Sequence, residues 1–290
     1  MKKIVMAVLF IFALSSVAFA SPLTDFSKGK AALDINYRVS PDYDLDARVN
    51  DFNVNAAAKE IGLPTKFDGD SNLEWGFTYG IGNNWALQYR QATPKGKLTL
   101  VDYKYKNNDG DDGEVLTLKA AQSNNIIQDI LEDSPFDAAK LSLTSKTRVE
   151  EYNVMYKLDK NFSLFTGIVK ASPSLKANAS AKLYWDDASY SGDVSIQGHD
   201  KNIWQFGVVA VKPLNKDFTT YGIASVGSDY RNLEVGLGYK VAKDLEFNVN
   251  YRDLKVDDMK FANFTTPEKS YNLTTDAEIK GWGFGVTYNF

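Results

Sequence analysis

From Leu33 to the C-terminus, much of the chain alternates between apolar and polar side chains at every second residue. The last ten residues show it most plainly. Trp282, Phe284, Val286, Tyr288 and Phe290 share one face, and Gly281, Gly283, Gly285, Thr287 and Asn289 share the other. Successive side chains of a strand point to opposite faces, so this segment reads as a strand with one aromatic face and one small, polar face. The pattern returns with Leu33, Ile35, Tyr37 and Val39; with Leu73, Trp75, Phe77, Tyr79 and Ile81; and with Tyr152, Val154, Tyr156 and Leu158. Leu233, Val235, Leu237, Tyr239 and Val241 repeat it, as do Leu245, Phe247, Val249 and Tyr251.

Four compact connections separate such segments: Gly82-Asn83-Asn84, Asp159-Lys160-Asn161, Asn215-Lys216-Asp217 and Ala242-Lys243-Asp244. Asn, Asp and Gly suit tight hairpins because they tolerate positive φ or hydrogen-bond their own backbone. With both termini on the side of these turns, four turns give ten strands. The expected strands are 29–39, 71–81, 84–93, 146–158, 162–172, 200–212, 217–227, 230–241, 244–255 and 278–290, joined on the far side by loops 40–70, 94–145, 173–199, 228–229 and 256–277. The insert 94–145 holds two further strand-like stretches, Lys97 to Lys106 and Glu114 to Ala121; if both crossed a membrane the count would be twelve, but their acidic seven-residue connection is unlike the compact turns. Short helical turns are expected within Asn124 to Leu141 and at Ala56 to Ile61.

A soluble sandwich also alternates. Segment lengths near ten residues match a tilted membrane strand better than the five or six usual in globular sheets. Aromatic residues near the segment ends fit an interfacial girdle. The fold class expected is therefore all-β: a transmembrane antiparallel up-and-down β-barrel with long extracellular loops. At the N-terminus, Lys2 and Lys3 precede an apolar run from Ile4 to Leu14, and Ala18-Phe19-Ala20 offers small residues for cleavage. Residues 1–20 read as a signal peptide and 21–290 as the barrel domain. The apolar run is too short to span a bilayer, which takes about 17 residues or more.

Composition narrows the choice. Lys and Arg number 33 against 37 Asp and Glu, a formal charge of −4 that becomes −6 when Lys2 and Lys3 leave with the leader. That balance argues against a nucleic-acid partner. No cysteine is present, so disulfides and thiolate chemistry are excluded, and one histidine, His199, excludes a zinc site with two imidazoles. A mean hydropathy of −0.32 excludes a polytopic helical membrane protein but not a barrel.

Several stretches resemble known proteins: Ser21 to Lys30, Lys66 to Asp70 leading to Tyr79 to Tyr89, Glu151 to Lys157, and Gly281 to Phe290. They are similar to small outer-membrane, porin-like β-barrel proteins of diderm Firmicutes. The resemblance covers the strands and fails in the loops. It implies a bacterial outer-membrane location and leaves any substrate open. It also implies that Trp282, Phe284, Tyr288 and Phe290 form a C-terminal signal for the barrel assembly machinery. Outer-membrane lipid and lipopolysaccharide are the expected surroundings; oligomeric state is not legible.

Candidate chemistry is sparse. His199-Asp200 lies at an outer loop–strand boundary, where the ten-stranded omptin proteases also use His and Asp, but no further carboxylates can be assigned to face it and no flanking segment looks like an omptin. The acidic run Asp109, Asp111, Asp112 and Glu114 fails the spacing of a calcium loop. The chain is thus expected to be no enzyme and to need no cofactor or metal. The informative set is the inward face. By alternation it carries Asp34, Arg38, Glu74, Arg90, Glu151, Lys157, Glu234, Lys240, Glu246 and Arg252. Charges there must be wet or paired. With inward glycines widening the lumen, these ten residues are expected to line a narrow pore for small polar solutes. The alternative is a sealed barrel, structural or surface-binding, that acts through its extracellular loops.

Overall fold

The computed structural model describes residues 22–50, 52–60, 62–104, 136–183, 189–265 and 270–290. In chain order these contain β1 (Ala31–Arg38), β2 (Asp42–Val49), β3 (Phe52–Asn53), the short helix α1 (Val54–Glu60), β4 (Phe67–Asp70), β5 (Asn72–Gly82), β6 (Trp85–Ala92), β7 (Lys95–Lys104), β8 (Phe136–Lys157), β9 (Phe162–Leu183), β10 (Ser189–Gln197), β11 (Lys201–Pro213), β12 (Phe218–Gly227), β13 (Tyr230–Lys240), β14 (Leu245–Thr265) and β15 (Ser270–Asn289).

Ten of these strands close a ring. Antiparallel pairing runs β1–β5–β6–β8–β9–β11–β12–β13–β14–β15, and β15 returns to β1 through a register from Ala32 opposite Asn289 to Arg38 opposite Gly283. The compact turns close as their residues dictate. Asp159 Oδ1 accepts from the backbone N–H groups of Asn161 and Phe162, at 2.7 and 2.9 Å. Asn215 Oδ1 repeats the motif with Asp217 and Phe218, at 2.8 Å each. Between β5 and β6, Gly82, Asn83 and Asn84 all take positive φ, which other residue types adopt with difficulty.

The outer surface of the ring is a belt of exposed apolar side chains, including Ile35, Phe77, Val154, Leu164, Phe206, Leu237, Phe247 and Phe284. Trp204 and Phe206 are 70 % and 69 % exposed, a level that only lipid covers in a barrel of this kind. Aromatic pairs mark both edges of the belt: Trp85–Tyr156 and Phe218–Tyr239 by the compact turns, Trp75–Tyr89, Tyr89–Tyr152 and Tyr251–Trp282 at the far edge, with ring centroids 4.8 to 5.4 Å apart. The chain is a ten-stranded transmembrane barrel, as the turn count predicts.

Among the described residues, the segments expected as outer loops are mostly strand. β8, β9, β14 and β15 are 20 to 22 residues long and run on past the belt. In the outer part of the molecule β15 pairs with β2, β2 with β4, β4 with β7, β7 with the outer half of β8, and β10 with the outer half of β9. β7 therefore belongs to this extension and does not cross the membrane. Phe136 to Leu141, expected in a helical turn, is strand because it pairs with β7 and β9. The turn of helix expected at Ala56 is α1. Glu114 to Ala121, the acidic run, Asn124 to Pro135 and the leader lie outside the described residues.

The interior is stacked in three layers. At the compact-turn end, the N-terminal segment enters the lumen and Leu23 and Phe26 pack with Ala32, Ala86, Met155, Phe165, Val209, Val211, Tyr221 and Ile223. Polar and charged side chains fill the middle. At the outer end Tyr43, Leu45, Phe67, Leu98, Val149, Val169, Ile203, Tyr230, Leu254, Val256 and Met259 form a second apolar cluster.

Candidate functional site

The candidate site is the middle layer. Inward parity delivers its charges, and the barrel's width brings opposite walls within reach of an arginine. Arg38 on β1 pairs with Glu74 on β5 at 2.8 Å and also donates to Asn250 Oδ1 and to the Gly281 carbonyl, at 2.9 and 2.8 Å. Arg252 on β14 reaches Glu151 on β8 at 2.7 Å, Asn232 on β13 at 2.7 Å and Glu74 at 3.5 Å. Arg90 on β6 crosses to Glu234 on β13 at 2.6 Å, and the Tyr221 hydroxyl donates to the same carboxylate at 3.0 Å. Asp34 accepts from the Thr287 hydroxyl at 2.6 Å. Amides fill the gaps: Asn250 donates to Asn36 and Asn248, and a chain runs from Gln205 through Asn153 and Gln88 to Thr78.

Of the ten residues assigned to the inward face, seven meet in this layer. Lys157 is at the compact-turn mouth, where its ammonium donates to the Thr24 carbonyl at 2.6 Å. Lys240 and Glu246 stand opposite each other in register near the same mouth. Asn36, Asn232, Asn248, Asn250, Gln205 and Tyr221 complete the network. Their inward parity was visible; which wall each would reach was not.

Much of the lining expected from the sequence is buried, and its charges are paired with one another. Arg38, Glu151, Glu234, Arg252 and Asn250 expose 3 % or less of their surface. Among the described residues a cavity of about 30 Å³ lies beside them, room for about two waters. The space beside Gly283 and Gly285 is occupied. A Cβ at Gly283 would meet Asn250 and Arg38, and one at Gly285 would meet Asn36 and Asn248. These glycines leave room for side chains crossing from neighbouring strands.

At the outer boundary, His199 gives its backbone N–H to the Lys260 carbonyl, and the Asp200 carboxylate is taken by Lys170 at 2.8 Å and the Ser172 hydroxyl at 2.5 Å. The hydrogen bond from Lys170, then that from Ser172, holds the Asp200 carboxyl below its usual range. Among the described residues no three His, Cys, Asp or Glu converge on a metal-sized site. Trp282, Phe284, Tyr288 and Phe290 all face outward from β15 or its end and are exposed.

Outer-membrane barrels of known structure align along nearly the whole chain. The outer membrane protease OmpT from Escherichia coli matches at 12 % identity and a TM-score of 0.47, covering 93 % of this chain and 99 % of that one. OprG from Pseudomonas aeruginosa matches at 12 % identity and a TM-score of 0.32, with coverage of 93 % and 99 %. Ail, the attachment invasion locus protein of Yersinia pestis, matches in complex with sucrose octasulfate at 9 % identity and a TM-score of 0.31, with coverage of 91 % and 99 %. The likeness is one of barrel to barrel. No family model and no curated protein matches the chain.

Proposed function

We propose that this chain is a closed barrel of the bacterial outer membrane that acts as a surface-binding protein through the β-extension it raises above the bilayer. The observation that carries the reading is the burial of Arg38, Glu74, Glu151, Glu234 and Arg252, with an apolar cluster at each end. A conduit for polar solutes needs a lining that water reaches; Arg38, Glu74, Glu151, Glu234 and Arg252 are instead spent on one another and act as a plug. The extension offers what the lumen does not. β10 is paired on one side only, to β9, among the described residues, and nearly all of its side chains are exposed, Tyr190 and Val194 among them. A strand with a free edge can accept an extended partner through its backbone.

The outer-membrane placement draws on the leader-like N-terminus, the apolar belt and the aromatic final strand. Lipid and lipopolysaccharide would surround the belt, and the assembly machinery would receive β15. Reconstitution of the folded protein in a planar bilayer tests the closed lumen. No conductance steps above those of a protein-free bilayer are expected; reproducible steps from folded protein would return the ten inward residues to the role of pore lining.

A further inference from the structure

The β-extension is polarised in charge. Residues 95–102, 138–150, 170–182 and 189–197, on β7, β8, β9 and β10, carry eight lysines and arginines against three acids. Residues 42–49, 67–70, 253–260 and 273–280, on β2, β4, β14 and β15, carry ten acids against four cations. The basic half presents its cations outward: Lys95, Lys97, Lys146, Arg148 and Lys176 are exposed, while Ser145, Thr147 and Val149 are buried. Register concentrates them. Lys95 stands directly opposite Lys146, and Lys97 and Lys176 flank Thr144, which puts both on the diagonals of Lys146. Opposed residues of neighbouring strands have Cβ atoms about 5 Å apart, and like charges there repel. Acids at the margin take Lys95, Arg148 and Lys176: Asp70 at 2.7 Å, Glu150 at 2.7 Å and Asp193 at 3.1 Å. No ion pair reaches Lys97 or Lys146 among the described residues. From Arg148 to Lys140 the row runs about 26 Å along β8. At its outer end lies a groove of about 380 Å³ whose lining includes Lys140, Ser180, Lys182 and Ser191, within the size range of ligand sites.

We propose that the outward face of β7, β8, β9 and β10 binds a linear anionic polysaccharide, with Lys97 and Lys146 as its principal contacts. The inference deepens the surface-binding reading and rests on it. Sulfate, phosphate or carboxylate groups along such a chain sit between Lys95, Lys97, Lys146 and Lys176 and replace repulsion with attraction. Between the cations the face carries Thr99, Thr144, Ser174 and Asn178, short groups that exchange hydrogen bonds with sugar hydroxyls. A nucleic-acid strand calls for a run of aromatic side chains under its bases, and an acidic protein for an apolar anchor with a pocket to receive it. The described residues of this face offer neither. A lipid headgroup reaches only the base of the row, near Tyr152 at the edge of the belt, whereas the cations continue outward. The acidic wall on the other side repels the same chain and confines it to this one.

The probe is dextran sulfate, with neutral dextran as control, titrated against the folded barrel in detergent. The barrel is expected to bind dextran sulfate and not dextran, and to lose affinity by about tenfold or more between 50 and 200 mM salt. Lys97→Gln combined with Lys146→Gln should weaken binding about tenfold, whereas Lys255→Gln on the acidic wall should leave it unchanged. Lysine acetylation read by mass spectrometry gives a second measurement on unaltered protein: dextran sulfate should protect Lys97 and Lys146 and leave Lys255 reactive. If the double variant does not fold, this protection decides. No binding, an equal loss in Lys255→Gln, or no protection of Lys97 and Lys146 overturns the proposal. Equal affinity for single-stranded DNA or polyglutamate overturns the choice of a saccharide, and displacement of dextran sulfate by vesicles of anionic phospholipid gives the lysines to lipid headgroups instead. A silent bilayer with no binding keeps the closed-barrel reading and ends this one; conductance together with binding does the reverse.

Discussion

Arg252 donates to groups on three other strands: Glu151 on β8, Glu74 on β5 and Asn232 on β13. Truncating one partner of such a buried set leaves the others charged without compensation, which costs about 3–5 kcal/mol. Arg252→Met should therefore lower the urea midpoint of the refolded barrel by that order. Adding Glu151→Gln should recover part of the loss, because the neutral amide removes the stranded charge. A double variant as unstable as the sum of the two singles would speak against direct pairing. The inward placement of Arg252 was legible from period two alone. Its partners were not, because they depend on how far a guanidinium reaches across a lumen whose width the sequence does not state. Gly283 and Gly285 misled for the same reason: an alternating glycine looks like open space until the side chain occupying that space is seen.

At the scale of the element, four strands change the side on which they are greasy. On β14, Phe247, Val249 and Tyr251 face outward, but Leu254 and Val256 face inward while Asp253 and Lys255 take the outer face. β8 exchanges Tyr152 for Val149, β9 exchanges Ile168 for Val169 and Ala171, and β15 exchanges Trp282 for Ile279 and Ala277. The swap marks where each strand leaves lipid: below it the apolar face meets acyl chains, above it the apolar face can only be hidden inside. Two substitutions one residue apart should then differ sharply. Leu254→Lys buries an ammonium in the outer cluster and is expected to destabilise the folded barrel by several kcal/mol, whereas Lys255→Leu should shift it by less than about 1 kcal/mol. Denaturant titration of the two variants measures this, and similar losses would place residue 255 inside. The swap was present in the sequence, yet alternation scored strand by strand treats a change of phase as a strand end. β1, β4 and β6 break beside Pro41, Ser71 and Pro94 before β2, β5 and β7 continue, which made the extension look like loop.

For the whole molecule, the ring of ten followed from counting turns, since each compact Asx turn commits two strands to be neighbours. Whether the ring is hollow did not follow. Ten strands fall between barrels that side chains fill and barrels that hold water, and here long polar side chains together with the N-terminal segment fill the difference. The same view separates stability from assembly at the C-terminus. Phe290 is 59 % exposed and stacks edge-on against Tyr288 at 4.8 Å, with few contacts to lose. Phe290→Ala is expected to change the urea midpoint of refolded protein by less than about 1 kcal/mol, while lowering several-fold the amount that reaches the membrane in cells. Equal losses in both measurements would assign Phe290 to packing alone.

β1 meets β15 only at the end of the chain's path around the ring, and the bonds from Arg38 to Asn250 and Gly281, and from Thr287 to Asp34, span that junction. They join residues more than 200 positions apart, and such distant contacts form late. Until the final hairpin arrives, the half-built wall is an open trough whose arginines and carboxylates must keep their hydration. Dehydration of the interior and completion of the circle are therefore a single event, and a chain stalled one hairpin short would remain a wet, unsealed sheet.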